Sequence, residues 1–132
     1  MFRAMFMAHR VQAIATRDET VLDAWDLLAM ATCDAASALG LDHEIGSIAV
    51  GLRADLVAVR SRAAHLWPPD QPVGRLAFYA NAADVGFAMV DGQILVRDRQ
   101  VLTMDPEAVL DRAAEAYALM LERAGMGFAQ SR

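Results

Sequence analysis

The side chains that could bind a transition metal in this chain of 132 residues are three histidines and one cysteine, together with the carboxylates. Hydrolysis at zinc or iron requires several His, Asp, Glu or Cys ligands that converge on one point. His9, His43 and His65 lie far apart in the sequence, and no two have i, i+2 or i, i+4 spacing. Cys33 is not close to any histidine in a metal-site pattern. We therefore predict no metal ligand in this chain and interpret the histidines as surface or half-buried residues.

Hydroxyl and thiol nucleophiles are a second source of chemistry. A catalytic serine often stands on a strand–turn–helix elbow between glycines. None of the serines has that context: Ser37, Ser47, Ser61 and Ser131. Cys33 lies inside a predicted helix between Thr32 and Asp34, where a cysteine is more often a small core residue than a nucleophile. We predict no catalytic residue.

The glycines and strand-edge carboxylates have simpler interpretations. Gly46 and Gly51 lack the spacing of dinucleotide or phosphate-binding loops, so we interpret them as turn residues and predict no cofactor-binding residue. Asp55 and Asp84 each precede an apolar run, and we expect each to accept hydrogen bonds from nearby backbone N–H groups. Asp91 is explained by a turn.

Composition restricts the class of protein. A formal charge of −5 without a cluster of basic residues in the sequence disfavours nucleic acid as a partner. The hydrophobic fraction of 56% is enough for a real core, and its excess indicates apolar surface intended for something outside the chain. A single cysteine cannot form an internal disulfide, which fits a reducing compartment. We find neither a signal peptide nor an apolar run of the roughly 18–20 residues that span a bilayer, so we expect a cytoplasmic protein and no membrane partner.

Helical periodicity dominates the first part of the chain. In residues 1–14 the apolar residues recur at three-four spacing. This helix opens at residue 1 without an N-cap, which is typical of a chain cut within a helix, a frayed terminus being the alternative. Asp18 and Thr20 offer caps for a second helix, and Thr32 for a short third one that ends at Gly40. The predicted apolar stripe of the second helix is Val21, Leu22, Trp25, Leu28 and Ala29.

The period then changes from helix to strand. Residues 45–50 and 56–59 are predicted strands, and residues 76–79 fit either a strand or a helical turn. Asp91-Gly92 between two apolar runs, residues 85–90 and 93–97, predicts a type I′ hairpin.

A further short strand is predicted at residues 101–104, before the chain returns to helix. Asp105 as N-cap and Pro106 at the first helical position start this last helix, and Gly125 ends it. We expect the tail to Arg132 to be loose. The predicted buried stripe of the helix is Val109, Leu110, Ala113, Ala116, Tyr117, Met120 and Leu121.

Five segments in a fixed order resemble a known family. Residues 31–41 (ATCDAASALGL) and 44–57 (EIGSIAVGLRADLV) resemble the C-terminal signature of the amidohydrolase superfamily. The nearest branch is that of the cytosine deaminases, chlorohydrolases and adenosylhomocysteine/methylthioadenosine deaminases. Three later segments resemble the family in the same order: His65-Leu66 with Pro68 and Pro72, Asp84-Val85 with residues 89–92, and residues 102–105.

The resemblance implies an architecture of the α+β class. Residues 1–40 would be the last helices of an incomplete (β/α)8 barrel. Residues 41–104 would be the C-terminal strands of a composite β-sandwich, built in this family from both ends of the chain. Residues 105–132 would be a closing helix with a loose tail.

The resemblance also implies where catalysis would take place. The metal ligands of the family are a His-x-His on the first barrel strand, two later histidines and an Asp on the last barrel strand, and this sequence contains none of these motifs. We therefore assign it no catalytic, cofactor-binding or metal-binding residue, and zinc or iron is implied only for the complete enzyme.

The function implied is that of a C-terminal fragment of a metal-dependent amidohydrolase, which in complete form would deaminate or dechlorinate an aminated heterocycle. The fragment would be inactive alone and would need the missing barrel, or a partner chain, with self-association into a homo-oligomer as a further expectation. One alternative is a non-catalytic scaffold or a subunit of a split hydrolase. The other is an independent enzyme that uses the three histidines.

Overall fold

The computed structural model describes residues 1–126 and divides the chain into two compact units, Met1–Gln100 and Val101–Arg132. The predicted loose tail and Ser131 lie in residues 127–132, outside the described residues. No helix of the described part is both long and apolar enough to cross a membrane.

The first unit combines short helices with an antiparallel sheet, in agreement with the predicted α+β class. Its α-helices are α1 (Phe2–Thr16), α2 (Ala24–Met30), α3 (Cys33–Ala38) and α4 (Pro72–Phe78), and its 3-10 turns are Ala64–Leu66 and Ala82–Asp84. The strands are β1 (Leu56–Val59), β2 (Val85–Val90), β3 (Gln93–Arg97) and β4 (Gln100–Val101), in the order β1-β2-β3-β4. The second unit contains α5 (Pro106–Arg123).

A small core forms where α1, α2 and α4 meet. Met5, Leu27 and Ala77 are its buried residues, and Leu27 is fully buried. Phe2 and Phe78 pack against this cluster. Each helix therefore contributes one buried side chain, and the core fixes α4 against the N-terminal helices.

The predicted start of α2 is wrong. Its N-cap is Asp23, whose Oδ1 accepts hydrogen bonds from the N–H groups of Trp25 and Asp26, while the Asp26 carboxylate accepts from Asp23 N. Asp18 instead accepts from the hydroxyl and the N–H of Thr20, and these two hydrogen bonds lower the pKa of its carboxyl.

The predicted buried stripe of α2 is displaced as well. Trp25 is 67% exposed, and Leu27 takes the central buried position. The face in contact with the core is Ala24, Leu27 and Ala31, which share the spacing of one helix face that does not include Trp25.

Residues 45–50 form turns and bends, so the predicted strand there is wrong. Gly46 and Gly51 both have a φ of 97°, a left-handed conformation that a strand does not contain. The segment is closed by a backbone hydrogen bond, which Arg53 N donates to Glu44 O at 2.8 Å, and by an ion pair between the side chains of the same two residues at 2.6 Å. The turn interpretation of both glycines is confirmed.

The hairpin is confirmed. β2 and β3 pair antiparallel, and Asp91 and Gly92 have φ angles of 49° and 78°, as a type I′ turn requires. Residues 76–78 are the end of α4, so the helical alternative for this segment is correct. The last strand is shorter and earlier than predicted, because it consists of Gln100–Val101 only.

α5 begins as predicted, but its stripe is not buried. Asp105 Oδ1 accepts hydrogen bonds from Glu107 N and Ala108 N, and Pro106 stands at the first helical position. After the helix, Gly125 has a φ of 64°. None of the helix residues is buried, so the prediction of a buried stripe is wrong: Leu121 is half-buried and the other six positions are exposed.

Two glycine variants test the close contact between Gly46 and α3. A Cβ at Gly46 would lie 2.7 Å from Ala36 Cβ and 3.1 Å from Cys33 Cα, whereas a Cβ at Gly51 would meet nothing within 4 Å. Gly46→Ala should therefore lower the free energy of unfolding by about 2–4 kcal/mol through overlap with α3 and backbone strain. Gly51→Ala, at the same φ, should cost only about 1 kcal/mol. Thermal unfolding at one fixed protein concentration measures both, and equal losses would show that Gly46 is not in close contact with α3.

Candidate functional site

His65 and Asp84 lie before and after the segment that contains α4, and the fold brings them into contact. His65 Nε2 lies 2.9 Å from Asp84 Oδ2. His65 belongs to the 3-10 turn before α4, and Asp84 is the last residue of the 3-10 turn that leads into β2. Asp84 is buried, with 7% of its surface exposed, and the imidazole is 42% exposed.

Asn81 completes this cluster and fixes its hydrogen bonds. Its backbone N–H donates to Asp84 Oδ2 at 2.9 Å, and its side-chain oxygen accepts from Ala83 N at 2.9 Å. Its amide nitrogen is 3.4 Å from His65 Nε2. Because the Asp84 carboxylate can only accept, Nε2 carries a proton and donates to it, so the longer contact with the Asn81 amide is not a hydrogen bond.

Asp84 is held in its ionised form. Burial alone would raise its pKa, but the hydrogen bonds from His65 Nε2 and Asn81 N, together with electrostatic attraction by His65 and Arg60, hold the pKa below its ordinary value. Arg60 N also donates to Asp84 O at 2.8 Å. Asp84 therefore joins three segments. At the start of β2, its carboxylate binds the first 3-10 turn, and its backbone carbonyl binds the residue that follows β1.

We call the cluster of His65, Asn81 and Asp84 the Asp84 clamp, because its hydrogen bonds join separate segments of the chain. A carboxylate that orients a histidine is one part of a general-base system, but such a system also needs a nucleophile bonded to the imidazole. Among residues 1–126, the imidazole of His65 donates a hydrogen bond to Asp84 and contacts the Asn81 amide, but it has no hydrogen bond to a hydroxyl or thiol group. The described arrangement holds the segments before and after α4 to the start of β2 and supplies no nucleophile.

The other histidines lie elsewhere. His9 Nε2 donates to Glu19 O at 3.1 Å, and its ring packs edge-on against Phe78 with the centroids 5.1 Å apart. His43 is exposed and lies between Asp42 and Glu44, at 3.9 and 3.5 Å. The prediction of surface or half-buried histidines is confirmed.

These positions also test whether the residues present fit a catalytic metal. In the described part of the chain no group of three or more His, Cys, Asp or Glu side chains could hold a metal ion. The Nε2 atoms of His9 and His65 face a carbonyl and a carboxylate of the chain itself. The described residues therefore do not fit the metal that the family resemblance implies.

The candidate nucleophiles of the described residues are exposed. Cys33 is exposed, so its interpretation as a core residue is wrong; it stands at the first position of a short surface helix. The serines within the described residues, Ser37, Ser47 and Ser61, are all exposed.

The two strand-edge aspartates act as the sequence predicted. Asp55 Oδ1 accepts from Asp91 N at 2.6 Å, and Asp84 Oδ2 accepts from Asn81 N. Asp55 thereby holds the tip of the β2–β3 hairpin against the start of β1, next to a hydrogen bond from Gly92 N to Ala54 O.

The comparisons with known proteins agree on one family. The model of the amidohydrolase family matches residues 1–95, and the chain belongs to this family. The chain is 40% identical over 122 residues to a 5-methylthioadenosine/S-adenosylhomocysteine deaminase of Desulforudis audaxviator, which covers 92% of this chain and 28% of that enzyme. It is 38% identical to the enzyme of the same name from Haloarcula marismortui, over 95% of this chain and 28% of the relative.

Solved structures support the same assignment. An adenosine deaminase from Xanthomonas campestris with bound zinc matches with a TM-score of 0.84 and 32% identity, over 87% of this chain and 26% of that one. An atrazine chlorohydrolase from Arthrobacter aurescens TC1 complexed with zinc matches with a TM-score of 0.71 and 26% identity, over 86% and 25%. The family resemblance is thus confirmed, and this chain spans about 28% of the curated relatives named above.

The Asp84 clamp generates a stability prediction. Asp84→Asn should lower the free energy of unfolding by about 1–3 kcal/mol, since it weakens hydrogen bonds to a buried group. Asp70→Asn is the matched control, because Asp70 is exposed and its ion pair with Arg75 is long, at 3.7 Å; it should cost less than about 1 kcal/mol. Urea unfolding of both variants is the measurement, and a loss no larger for Asp84→Asn would rule out the clamp.

The same group predicts a pH dependence. The folded-state pKa of Asp84 lies below the unfolded value of about 3.9. Its contribution to stability is therefore complete above that value and is lost as the pH falls through the lower folded pKa. Between neutral pH and acid, the Asp84→Asn variant should lose less stability than the parent chain. If the free energy of unfolding of the two proteins fell equally between neutral pH and acid, Asp84 would not be the responsible group.

Proposed function

We propose that this chain works as the C-terminal part of a zinc-dependent amidohydrolase that removes the amino group from the purine ring of an adenosine-type nucleoside. The metal and the substrate would be bound by residues beyond these 132. In this proposal the chain contributes the last helices around a catalytic barrel and the C-terminal strands of an accompanying sandwich.

One observation carries the proposal. The 5-methylthioadenosine/S-adenosylhomocysteine deaminases match 92% and 95% of this chain, but the chain spans only 28% of their length. Hydrolytic deamination needs an activated water and several metal ligands. Since no group of three or more His, Cys, Asp or Glu side chains in residues 1–126 could hold a metal ion, those ligands would come from the remaining part of such an enzyme.

Deamination is favoured over dechlorination by degree of similarity. The relatives named as deaminases are 38–40% identical to this chain, and the solved adenosine deaminase is 32% identical with a TM-score of 0.84. The atrazine chlorohydrolase is 26% identical with a TM-score of 0.71. The substrate class we propose is therefore a nucleoside with an exocyclic amino group.

The exposed apolar faces support the proposed architecture. On α1, Met7, Val11 and Ile14 follow one another at the spacing of one helix face and are 54%, 57% and 79% exposed. That face is separate from the one that buries Met5. A surface of this kind would be covered if α1 packed on the outside of a barrel.

The sheet supports the same proposal. β1 pairs only with β2 among the described residues, so its other edge has unpaired backbone groups. Val57 on this strand is 61% exposed. A composite sandwich would supply both a neighbouring strand and an opposing layer. The division into residues 1–40, 41–104 and 105–132 stays a prediction of this proposal.

The chain's own residues would have a positioning role. The Asp84 clamp holds the turn before α4 to the start of β2, and the ion pair between Glu44 and Arg53 closes the segment between those two residues. These residues do not fit the metal, so in this proposal they hold the fold and take no part in the chemical step.

A chimaera tests this proposal. The matching 122-residue segment of the Desulforudis audaxviator enzyme would be replaced by this chain. The chimaera should release ammonia from 5′-methylthioadenosine in a zinc-dependent manner, and a chelator should abolish the reaction. The isolated chain, assayed beside it, should release none.

Two outcomes would contradict the proposal. Zinc-dependent deamination by the isolated chain would show that it carries its own active site. A folded, zinc-loaded chimaera without deaminase activity would show that this segment does not belong to such an enzyme. If the two parts regain activity when mixed as separate chains, the protein is a subunit of a split hydrolase. Binding without activity would favour the scaffold alternative.

A further inference from the structure

The helix α5 presents one continuous apolar face. It has 18 residues and is therefore roughly 27 Å long. We call its apolar stripe the α5 face, which consists of Val109, Leu110, Ala113, Ala116, Tyr117, Met120 and Leu121. None of these residues is buried, and a helix this short is only marginally stable in water without packing along its apolar side. The α5 face therefore indicates a partner that packs along the helix.

The family model ends before this helix begins. It matches residues 1–95, whereas α5 starts at Pro106. The match to the Desulforudis audaxviator deaminase is longer: at 122 of the 132 residues it leaves ten unmatched, so it extends over nearly all of α5. The helix is thus shared with this relative but lies outside the segment that defines the family. This distribution favours a contact of its own for α5 over a role in the part that all members share.

The sizes of the side chains along the α5 face are complementary to a second copy of the same face. Leu110 near the N-terminus and Met120 near the C-terminus are large and are 62% and 54% exposed, and Ala113 and Ala116 stand between them. In an antiparallel pair centred near residue 115, Leu110 lies opposite Met120 of the second copy. Ala113 then lies opposite the larger Tyr117, and the alanines allow the two helix axes to approach closely.

The charges at the two ends of the helix favour the same direction. Asp105 and Arg123 are 18 residues apart, which is about five turns, so they lie on the same side of the helix. Antiparallel packing brings Arg123 close to Asp105 of the second copy, twice in a symmetric pair. Parallel packing would instead place like charges together and align the two helix dipoles. Among residues 1–126 neither side chain has an ion-pair partner.

We propose that two copies of this chain associate through antiparallel packing of their α5 faces. The interface is isologous, since the same face is used by both copies. The acidic residues within the helix lie to the side of this face or behind it and stay in water: Glu107, Asp111, Glu115 and Glu122. The pairing goes beyond the proposed function and does not depend on it.

Two leucines of α5 provide a matched pair of variants. Leu110 belongs to the α5 face, and Leu119, which is 47% exposed, is nine residues further on, about two and a half turns, on the opposite side. Leu110→Glu should raise the dissociation constant of the full chain at least tenfold, because it places a charge in an apolar contact. Leu119→Glu should change it less than about twofold. Sedimentation equilibrium measures both, and equal effects of the two changes would overturn the proposal.

Cross-linking by oxidation tests which face and which direction the helices use. Cys33 is the only cysteine of the sequence, so Cys33→Ser gives a cysteine-free background. In this background Ala116→Cys, close to the symmetry axis, should form a disulfide-linked dimer. Ala118→Cys, on the opposite side of the same helix, is the control and should not.

The direction is read from two further cysteine variants. Leu110→Cys and Met120→Cys should link to each other when mixed, faster than either links to itself. Self-linkage of each variant without linkage between them would mean parallel helices. Either that result, or equal linkage of Ala116→Cys and Ala118→Cys, would overturn the proposal.

A double-mutant cycle tests the ion pair between the copies. Arg123→Gln should weaken the dimer about threefold, because it removes two exposed ion pairs. Asp105→Asn keeps a residue that can cap α5 and removes its charge. In the Asp105→Asn background, Arg123→Gln should have no further effect. Full additivity of the two changes would show that these side chains do not meet, which contradicts the antiparallel register.

The other possible occupant of the α5 face is the remaining part of the same enzyme molecule. In the chimaeric enzyme, Leu110→Glu should convert a dimer into a monomer and leave deamination per active site unchanged. A chimaera that is already a monomer, and whose Tm falls with Leu110→Glu, would show that α5 packs within its own molecule and would overturn the pairing. Loss of deamination by the chimaera itself would bear only on the proposed function, so the two failures are distinguishable.

Discussion

Burial of apolar side chains is the constraint on which this fold depends, and within residues 1–126 few side chains satisfy it. The buried hydrophobic residues are Met5, Leu27, Ala36, Leu66 and Ala77. Among the helices of this described part, only α2 contributes a large side chain that is completely buried, Leu27. In contrast, large apolar residues on α1 and α5 remain exposed, Ile14 at 79% and Leu110 at 62% among them. Polar contacts such as those of Asp84 with His65 and of Glu44 with Arg53 hold the segments between the helices.

The local parts of the fold could be predicted because their signals are short and have a single physical cause. Asp91-Gly92 requires positive φ at both positions, and Asp105-Pro106 joins a cap to a residue that suits the first helical turn. The prediction of a strand at residues 45–50 is wrong because its signal has no such single cause. An apolar run with glycines is equally typical of a strand and of a turn, and the left-handed Gly46 is explained only by its close contact with α3, which depends on the tertiary structure.

In the candidate site, too, local contacts could be predicted from the sequence and tertiary contacts could not. The sequence predicted that Asp55 and Asp84 bind backbone N–H groups, which both do. The pairing of Asp84 with His65 could not be predicted, because it depends on how the loop with α4 returns to the sheet. The position of Leu27 was missed for a similar reason, since the contact face of a seven-residue helix depends on its neighbours. The stripe of α5 was predicted correctly as a pattern and wrongly as a buried surface.

The exposed apolar faces of this chain are, in our proposal, covered by the rest of a larger amidohydrolase. Sedimentation velocity of the purified chain over a range of concentrations tests it most directly, with an apolar dye as a second signal. We expect self-association that increases with concentration, and dye binding that falls when the chain is built into the chimaeric enzyme. A monodisperse monomer at every concentration, melting cooperatively and binding no dye, would contradict it.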